Sequence, residues 1–193
     1  LWRDLLIAMS WAEDYLFFLK PFFSSAARLR ERVEVRISPA FIWLTNRCPG
    51  FKTPDGRDAL AAMLRAVDRA VPASRRFKRF IRGINPDALL VSPLLSHSGL
   101  QSEFLRAAGS LGIPTAYCVA SWDNLTTKGA MRGHPDRIIL WNEIQQKEAI
   151  DLHGAKAERI VVTAAQYFDE WFVRSPSRSR EEFCRTVGLS PDR

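Results

Sequence analysis

The sequence lacks the short motifs of the commonest nucleotide-binding enzymes. No Gly-x-Gly-x-x-Gly run and no Walker lysine motif follows any of its apolar segments, which excludes the usual fingerprints of dinucleotide-dependent dehydrogenases and P-loop enzymes. The three cysteines, Cys48, Cys118 and Cys184, are far apart and form no CxxC pair. We therefore predict neither a disulfide framework nor a metal site, and we expect a reducing, cytoplasmic setting.

Long apolar runs are also missing. No stretch approaches the roughly 18 apolar residues of a membrane-spanning helix, and no signal peptide is visible. The sequence begins at Leu1 within a helical pattern and ends at Arg193, where a linker would lead into another element. We expect the chain to be a fragment of a longer protein.

The positive charge is concentrated in the first part of the chain. Residues 1–87 hold 16 Lys and Arg against 9 Asp and Glu, whereas residues 88–193 hold 12 of each. The charge is densest in Ser74-Arg-Arg-Phe-Lys-Arg-Phe-Ile-Arg82. This run could face phosphates, nucleic acid or acidic lipid. We favour the alternative, a solvated helix face whose apolar residues turn to the core: Phe77, Phe80, Ile81 and Ile84.

Residues 1–84 are predicted to form a helical region packed on a sheet. A helical stripe runs from Leu1 to about Leu19, and the pairs Ser38-Pro39 and Thr53-Pro54 each place proline at the first position of a further helix. Val33, Val35 and Ile37 alternate, so a short strand competes with a helix there.

From Asn85 the pattern changes to four short apolar runs separated by helices or polar loops. The runs are Ala88–Ser92, Thr115–Ala120, Arg137–Trp141 and Arg159–Thr163. Apolar strands of this kind indicate a parallel sheet covered on both faces. We predict an α/β fold, a doubly wound, Rossmann-like parallel sheet over residues 85–172. Residues 173–193 are predicted to be a linker toward a further domain.

Three segments also carry a family resemblance: Ser121-Trp-Asp-Asn-Leu-Thr-Thr-Lys-Gly129, Pro135-Asp-Arg-Ile-Ile-Leu-Trp-Asn-Glu143 and Ala164-Ala-Gln-Tyr-Phe-Asp169. Together they resemble the amino-terminal domain of bacterial glycosyltransferase-like proteins of the GT-B class, which place two Rossmann-like domains across a cleft. These are distantly similar to glycerophosphotransferases and nucleotide-sugar 2-epimerases. The resemblance covers roughly residues 74–193. The first strand with its glycine-rich turn and the second domain of that class are absent from the sequence.

The resemblance implies the acceptor-side domain of a glycosyltransferase-like enzyme, inactive as a fragment. Its nucleotide-sugar donor would bind mainly to the second domain, with no cofactor and no metal. A nucleotide-sugar 2-epimerase-like enzyme and a non-catalytic anion-binding module are the alternatives. The acceptor is not identified, and aromatic residues beside arginines in the first half leave open a lipid-linked acceptor and peripheral contact with the inner face of a membrane. Nucleic acid is not expected.

Loops at the carboxyl ends of parallel strands meet along one edge, so we expect a single cleft floor there. Its segments would be Ser92–Ser98, Ser121–Lys128, Asn142–Glu143 and Gln166. Asp123 is the candidate central contact, orienting an acceptor hydroxyl or taking its proton. The alternative is an Asx turn, in which Asp123 and Asn124 only hold the loop's own backbone.

The other candidates are assigned by their chemistry. His97 is a candidate base or phosphate contact next to a helix start; the alternative is that Ser98 simply caps that helix. Lys128 could bind a phosphate, and Trp122 could stack on a sugar ring or pack under the loop. Further substrate contacts are predicted from hydroxyl, amide and carboxyl groups in the same layer: Ser121, Asn124, Thr126, Glu143 and Gln166. For Glu143 a place in the first turn of a helix is an alternative explanation.

Overall fold

The computed structural model describes residues 2–93 and 100–192. The chain is an α/β protein in which a helical region precedes a four-stranded parallel sheet. It divides into two compact units, Leu1–Thr163 and Ala164–Arg193.

The first unit begins with six helices. They are α1 (Trp2–Phe18), α2 (Ala27–Glu34), α3 (Pro39–Arg47), α4 (Pro49–Lys52), α5 (Pro54–Ala70) and α6 (Arg75–Ile84). Proline occupies an opening position of α3 and α5 as predicted, and the Thr53 hydroxyl accepts a hydrogen bond from the Gly56 amide at 3.1 Å. The strand alternative for Val33–Ile37 is wrong, because α2 continues through Glu34 and turns follow it.

Helix α1 is the centre of this region. Tyr15, Phe17 and Phe18 are buried with Phe23 and Val33. Leu152, from the helix Glu143–His153, belongs to the same cluster. On another side of α1, Leu16 packs against Leu60 and Ala61 of α5. Burial of such side chains stabilises the fold by about 1.5–3 kcal/mol each, so α1 is held by its neighbours on several sides.

The basic helix α6 buries less of its apolar side than predicted. Ile81 is buried and Phe77 packs edge-on against Phe104, with ring centroids 4.8 Å apart. Phe80 and Ile84, however, are 55% and 60% exposed. Residues four apart share a helix face, so Phe77 and Ile81 form one stripe and Phe80 and Ile84 form the next. Only the first stripe is covered.

The sheet consists of β1 (Leu89–Val91), β2 (Thr115–Cys118), β3 (Arg137–Leu140) and β4 (Ile160–Val162). The strands lie in sequence order and every neighbouring pair is parallel. The connections contain α7 (Leu100–Gly109), the short α8 (Asn124–Thr127) and α9 (Glu143–His153). All four predicted strands and their parallel pairing are confirmed.

The two faces of the sheet are not equally covered. One face buries Val91, Tyr117, Ile138 and Leu140 against apolar side chains of α7, α8 and α9. The opposite face is more open, with Leu90 61% and Val161 42% exposed. The prediction of two covered faces is therefore wrong for the described part of the chain. Right-handed crossovers between sequential strands place every connecting helix on one face, and the reversal of strand order that defines a doubly wound sheet is not found among these four strands.

The second unit contains a 3₁₀ turn (Gln166–Phe168), α10 (Asp169–Val173) and α11 (Arg180–Val187). Ser179 caps α11, since its hydroxyl accepts from the Glu182 amide at 3.2 Å. Across residues 2–93 and 100–192, no helix combines the length and the apolar character that crossing a bilayer requires.

Candidate functional site

The loops that follow β2 and β3 lie side by side at the carboxyl edge of the sheet. The Trp141 indole Nε1 donates to the Val119 carbonyl at 3.1 Å, and the Gln145 Nε2 donates to the Ser121 carbonyl at 3.3 Å. Two of the predicted segments, Ser121–Lys128 and Asn142–Glu143, are therefore brought together by contacts between their flanking residues.

Asp123 is the hub of the first loop. Its Oδ1 accepts from the Ser121 hydroxyl at 2.5 Å, and its Oδ2 accepts from the Thr127 hydroxyl at 2.7 Å. The Lys128 Nζ lies 3.2 Å from the same Oδ2. Only 19% of the Asp123 side chain is exposed, so the carboxylate is held by the loop instead of extending freely into solvent.

These donors keep Asp123 ionised. The Ser121 hydrogen bond, followed by those from Thr127 and Lys128, lowers the pKa of the Asp123 carboxyl to about 2, against the opposing effect of burial. A carboxylate with so low a pKa is a weak proton acceptor near neutral pH. Of the two roles predicted for Asp123, the orientation of a hydroxyl fits this environment better than proton abstraction.

Asn124 and the threonines hold the loop itself. The Asn124 side chain is buried, and its Oδ1 accepts from the amides of Ala120 at 2.9 Å and Ser121 at 3.1 Å. The Thr126 hydroxyl donates to the Asp123 carbonyl at 3.4 Å, and the Thr127 hydroxyl, which donates to Oδ2, lies 3.1 Å from the same carbonyl. Since the Asn124 oxygen is already used, the geometry favours a bracing role for this residue.

Two side chains of the loop face solvent. The Trp122 ring is 74% exposed, and the Lys128 side chain is 47% exposed while it pairs with Asp123. Trp122 does not pack under the loop, so the alternative weighed against stacking does not hold. The exposed ring offers an apolar surface, and the ionised carboxylate of the next residue offers a hydrogen-bond acceptor.

The second loop is held in place by Gln145, a residue that was not among the predicted site residues. Asn142 caps α9 by accepting from the Gln145 amide at 2.9 Å, and Gln145 Oε1 accepts from the Trp141 amide at 2.8 Å. Gln145 is 2% exposed. Its signal was available, because a glutamine three residues after an Asn cap is a typical capping pattern. Glu143 stands exposed in the first turn of α9.

The far end of the first loop is fixed by the helical region. Asp14 of α1 is fully buried, accepts from the Ala130 amide at 2.9 Å and pairs with Arg132. His153 accepts from the Met131 amide at 3.0 Å and lies 2.7 Å from the Leu125 carbonyl, with its ring stacked on Phe17. These contacts give His153 a structural role. More than a hundred residues separate Asp14 from the loop, so no local pattern could reveal its part.

His97 and Gln166 are the remaining candidates. His97 and the segment 94–99 lie outside the described residues. Gln166 opens the 3₁₀ turn of the second unit. Among the residues that the structure describes, no group of three or more His, Cys, Asp or Glu side chains is placed to hold a metal ion. No protein-family model, curated protein or solved structure matches the chain.

Proposed function

We propose that the chain is the acceptor-side domain of a glycosyltransferase-like enzyme that uses a nucleotide-activated sugar. In this proposal the loop Ser121–Lys128, at the carboxyl edge of the sheet, contacts sugar hydroxyls. The observation that supports it is an exposed Trp122 ring on the residue next in sequence to the ionised Asp123 carboxylate. A sugar presents both an apolar ring face and hydroxyl donors, and this pair offers a partner for each.

The hydrogen-bonding capacity of Asp123 sets its role. An ionised carboxylate has about four lone-pair sites, and Ser121, Thr127 and Lys128 occupy three of them. One site therefore remains for a ligand hydroxyl. Because the internal donors fix the carboxylate before a ligand arrives, little side-chain entropy is lost on binding. Asp123 then orients the hydroxyl, and the proton acceptor of the transfer step lies elsewhere in the enzyme.

The test is to measure, by ligand-observed NMR, whether neutral oligosaccharides and nucleotide sugars bind to the chain. We expect at least one sugar to bind, and Trp122→Ala to weaken that binding about tenfold, or by about 1.4 kcal/mol. The matched control is Trp43→Ala, because Trp43 is a tryptophan of α3 that is 63% exposed. The control should bind sugar as the unmodified chain does.

Two results would overturn the proposal. One is an absence of sugar binding across a panel that varies the configuration of each hydroxyl. The other is binding that Trp122→Ala leaves unchanged while both tryptophan variants keep the melting temperature of the parent chain. An exposed ring contributes little to stability, so Trp122→Ala should remain folded.

A membrane-bound version of this function is favoured by one further observation. Helix α6 exposes Phe80 and Ile84 on a surface that also carries exposed arginines, Arg75, Arg76, Arg79 and Arg82. Apolar side chains flanked by cationic ones are typical of helices that lie on anionic bilayers. A lipid-linked acceptor would be presented to the enzyme at such a surface, and peripheral contact through α6 would bring the two together.

A further inference from the structure

A cavity lies at the opposite, amino-terminal edge of the sheet. It has a volume of about 630 Å³ and is enclosed by α1, α5, the segment that leads into β3 and the connection from α9 to β4. Ligand sites of soluble proteins fall in the range of about 300–1,000 Å³. The cavity shares no lining residue with the loop Ser121–Lys128.

The charged groups of this cavity are mostly cationic. Lys20, Arg65, Arg69, Lys156 and Arg159 line it, against three carboxyl groups, Glu13, Asp58 and Asp151. The guanidinium groups of Arg65 and Arg159 form no hydrogen bond or ion pair with the part of the chain that the structure describes. Two guanidinium groups in one cavity whose N–H donors make no direct hydrogen bond to the described residues are suited to a phosphate, because each can donate two parallel hydrogen bonds.

The cationic character also affects His134. Its Nε2 lies 3.3 Å from Arg69 Nη1, and since arginine can only donate, the Nε2 must be an acceptor. Burial and the nearby guanidinium of Arg69, followed by Arg159 and Arg65, lower the pKa of the His134 imidazole, while Asp68 opposes them. The imidazole therefore stays neutral and adds a neutral hydrogen-bonding group to the wall.

The inner wall contains a carboxyl oxygen without a partner. Glu13 is only 8% exposed, and its Oε1 accepts no hydrogen bond within the described residues. A buried polar atom left without a partner costs about 1–3 kcal/mol, which makes its retention in a cavity informative. A hydroxyl group on a bound molecule would supply the missing partner. Beside Glu13 the wall is apolar, formed by Leu16, Phe17, Ala61, Met131, Ile138 and Leu152.

We propose that this cavity binds a small phosphate ester that carries hydroxyl groups, such as a sugar phosphate or a polyol phosphate. Arg65 and Arg159 would hold the phosphate, and Glu13 would contact a hydroxyl at the inner end. The site is distinct from the loop at the carboxyl edge and does not depend on the proposed transferase activity.

The experiment is a calorimetric titration of the whole chain with glucose phosphate, glycerol phosphate and inorganic phosphate, with glucose and glycerol as uncharged controls. We expect saturable binding of the phosphate esters and none of the uncharged compounds. Arg65→Ala and Arg159→Ala should each weaken binding about tenfold. The matched control is Arg79→Ala, an exposed arginine of α6 that does not line the cavity.

Glu13→Gln separates the two ends of the ligand. It should weaken binding of the hydroxyl-bearing esters relative to that of inorganic phosphate, whose own affinity should not fall. Trp122→Ala should not alter any of these affinities, so failure here and failure of the sugar-binding proposal are distinguishable. The proposal is overturned if no phosphate compound saturates the chain, or if binding survives both Arg65→Ala and Arg159→Ala undiminished in variants that melt as the parent does.

Discussion

At the scale of the residue, burial shifts the ionisation of Glu13 and His153 in opposite directions. It raises the pKa of the Glu13 carboxyl to about 7, with Arg132 and Arg65 opposing and Asp68 and Asp14 adding to the effect. Burial lowers the pKa of the His153 imidazole to about 4, while the Leu125 carbonyl opposes the shift. The folded state is therefore more stable when each of these two groups is neutral.

The two shifts have opposite consequences for stability. The native state holds the Glu13 proton at pH values where the unfolded chain has lost it, so Glu13 lowers the free energy of unfolding as pH rises from about 4.5 to about 7. His153 binds its proton more weakly in the native state, so its contribution rises with pH between about 4 and about 6.5. The two effects partly cancel below about pH 6.5.

Glu13→Gln should isolate the first effect. Glutamine keeps the shape and removes the titration, so the variant should lose less stability than the parent between about pH 5 and about pH 8, by roughly 1–3 kcal/mol. Denaturant unfolding at a series of pH values measures this difference. Glu31→Gln, an exposed glutamate of α2, should follow the parent chain. Parallel profiles for Glu13→Gln and the parent would contradict the assigned burial effect.

At the scale of the element, the close approach of α1 to the end of the first loop depends on a glycine, Gly129. Gly129 has φ of +103°, and a Cβ at this position would overlap the buried Asp14 carboxylate, coming within 2.6 Å of Cγ. Asp14 has no room to withdraw, because it holds the Ala130 amide and Arg132. Glycine is needed here both for its backbone conformation and for its missing side chain.

Gly129→Ala should therefore destabilise the first unit by about 3 kcal/mol or more, from backbone strain and the displaced Asp14 pair. The control is Gly83→Ala. Gly83 lies inside α6 with open space at its Cβ position, so this change should raise stability by roughly 0.5–1 kcal/mol. Denaturant midpoints of the two variants should move in opposite directions. If both midpoints moved in the same direction, the close packing around Gly129 would not be what makes glycine necessary there.

Elements were largely predictable because their signals are local. The prolines at the starts of α3 and α5, and the apolar runs of the four strands, depend only on neighbouring residues. The coverage of α6 was not predictable in the same way. Phe80 and Ile84 fit an apolar stripe as well as Ile81 does. Which of them is buried depends on the packing of α7, where Ala107 and Ala108 cover Ile81, whereas Phe104 contacts both Phe77 and Phe80.

At the scale of the whole molecule, the order of the strands determines which face of the sheet is covered, and this could not be predicted from the sequence. Sequential order places the connecting helices on one face and leaves Leu90 and Val161 exposed on the other. The strands are apolar on both faces, so their sequences do not indicate which face is covered. The same holds for the candidate site. The adjacency of the loops after β2 and β3 follows from parallel pairing, whereas the internal bonding of Asp123 depends on the exact turn that its loop adopts.

The distribution of charge is the second property of the whole chain. All of the excess of seven positive charges lies in residues 1–87, and α6 adds two exposed apolar side chains, Phe80 and Ile84, to this basic part. Attraction to an anionic surface would be expected from the charge alone. The apolar side chains distinguish a bilayer from nucleic acid, because they gain free energy only where an apolar phase is available.

Ile84→Ser tests this distinction without altering charge. The parent chain should bind vesicles of mixed phosphatidylglycerol and phosphatidylcholine in a salt-sensitive manner, and pure phosphatidylcholine vesicles far more weakly. Ile84→Ser should weaken vesicle binding about tenfold, because burial of an isoleucine side chain is worth about 1.5–3 kcal/mol when complete. Met63→Ser, on α5 with Met63 56% exposed, is the matched control and should bind as the parent does. Equal binding of Ile84→Ser and the parent would mean that α6 does not enter the bilayer. Tight, steeply salt-dependent binding of duplex DNA in its place would identify the basic surface as a nucleic-acid module.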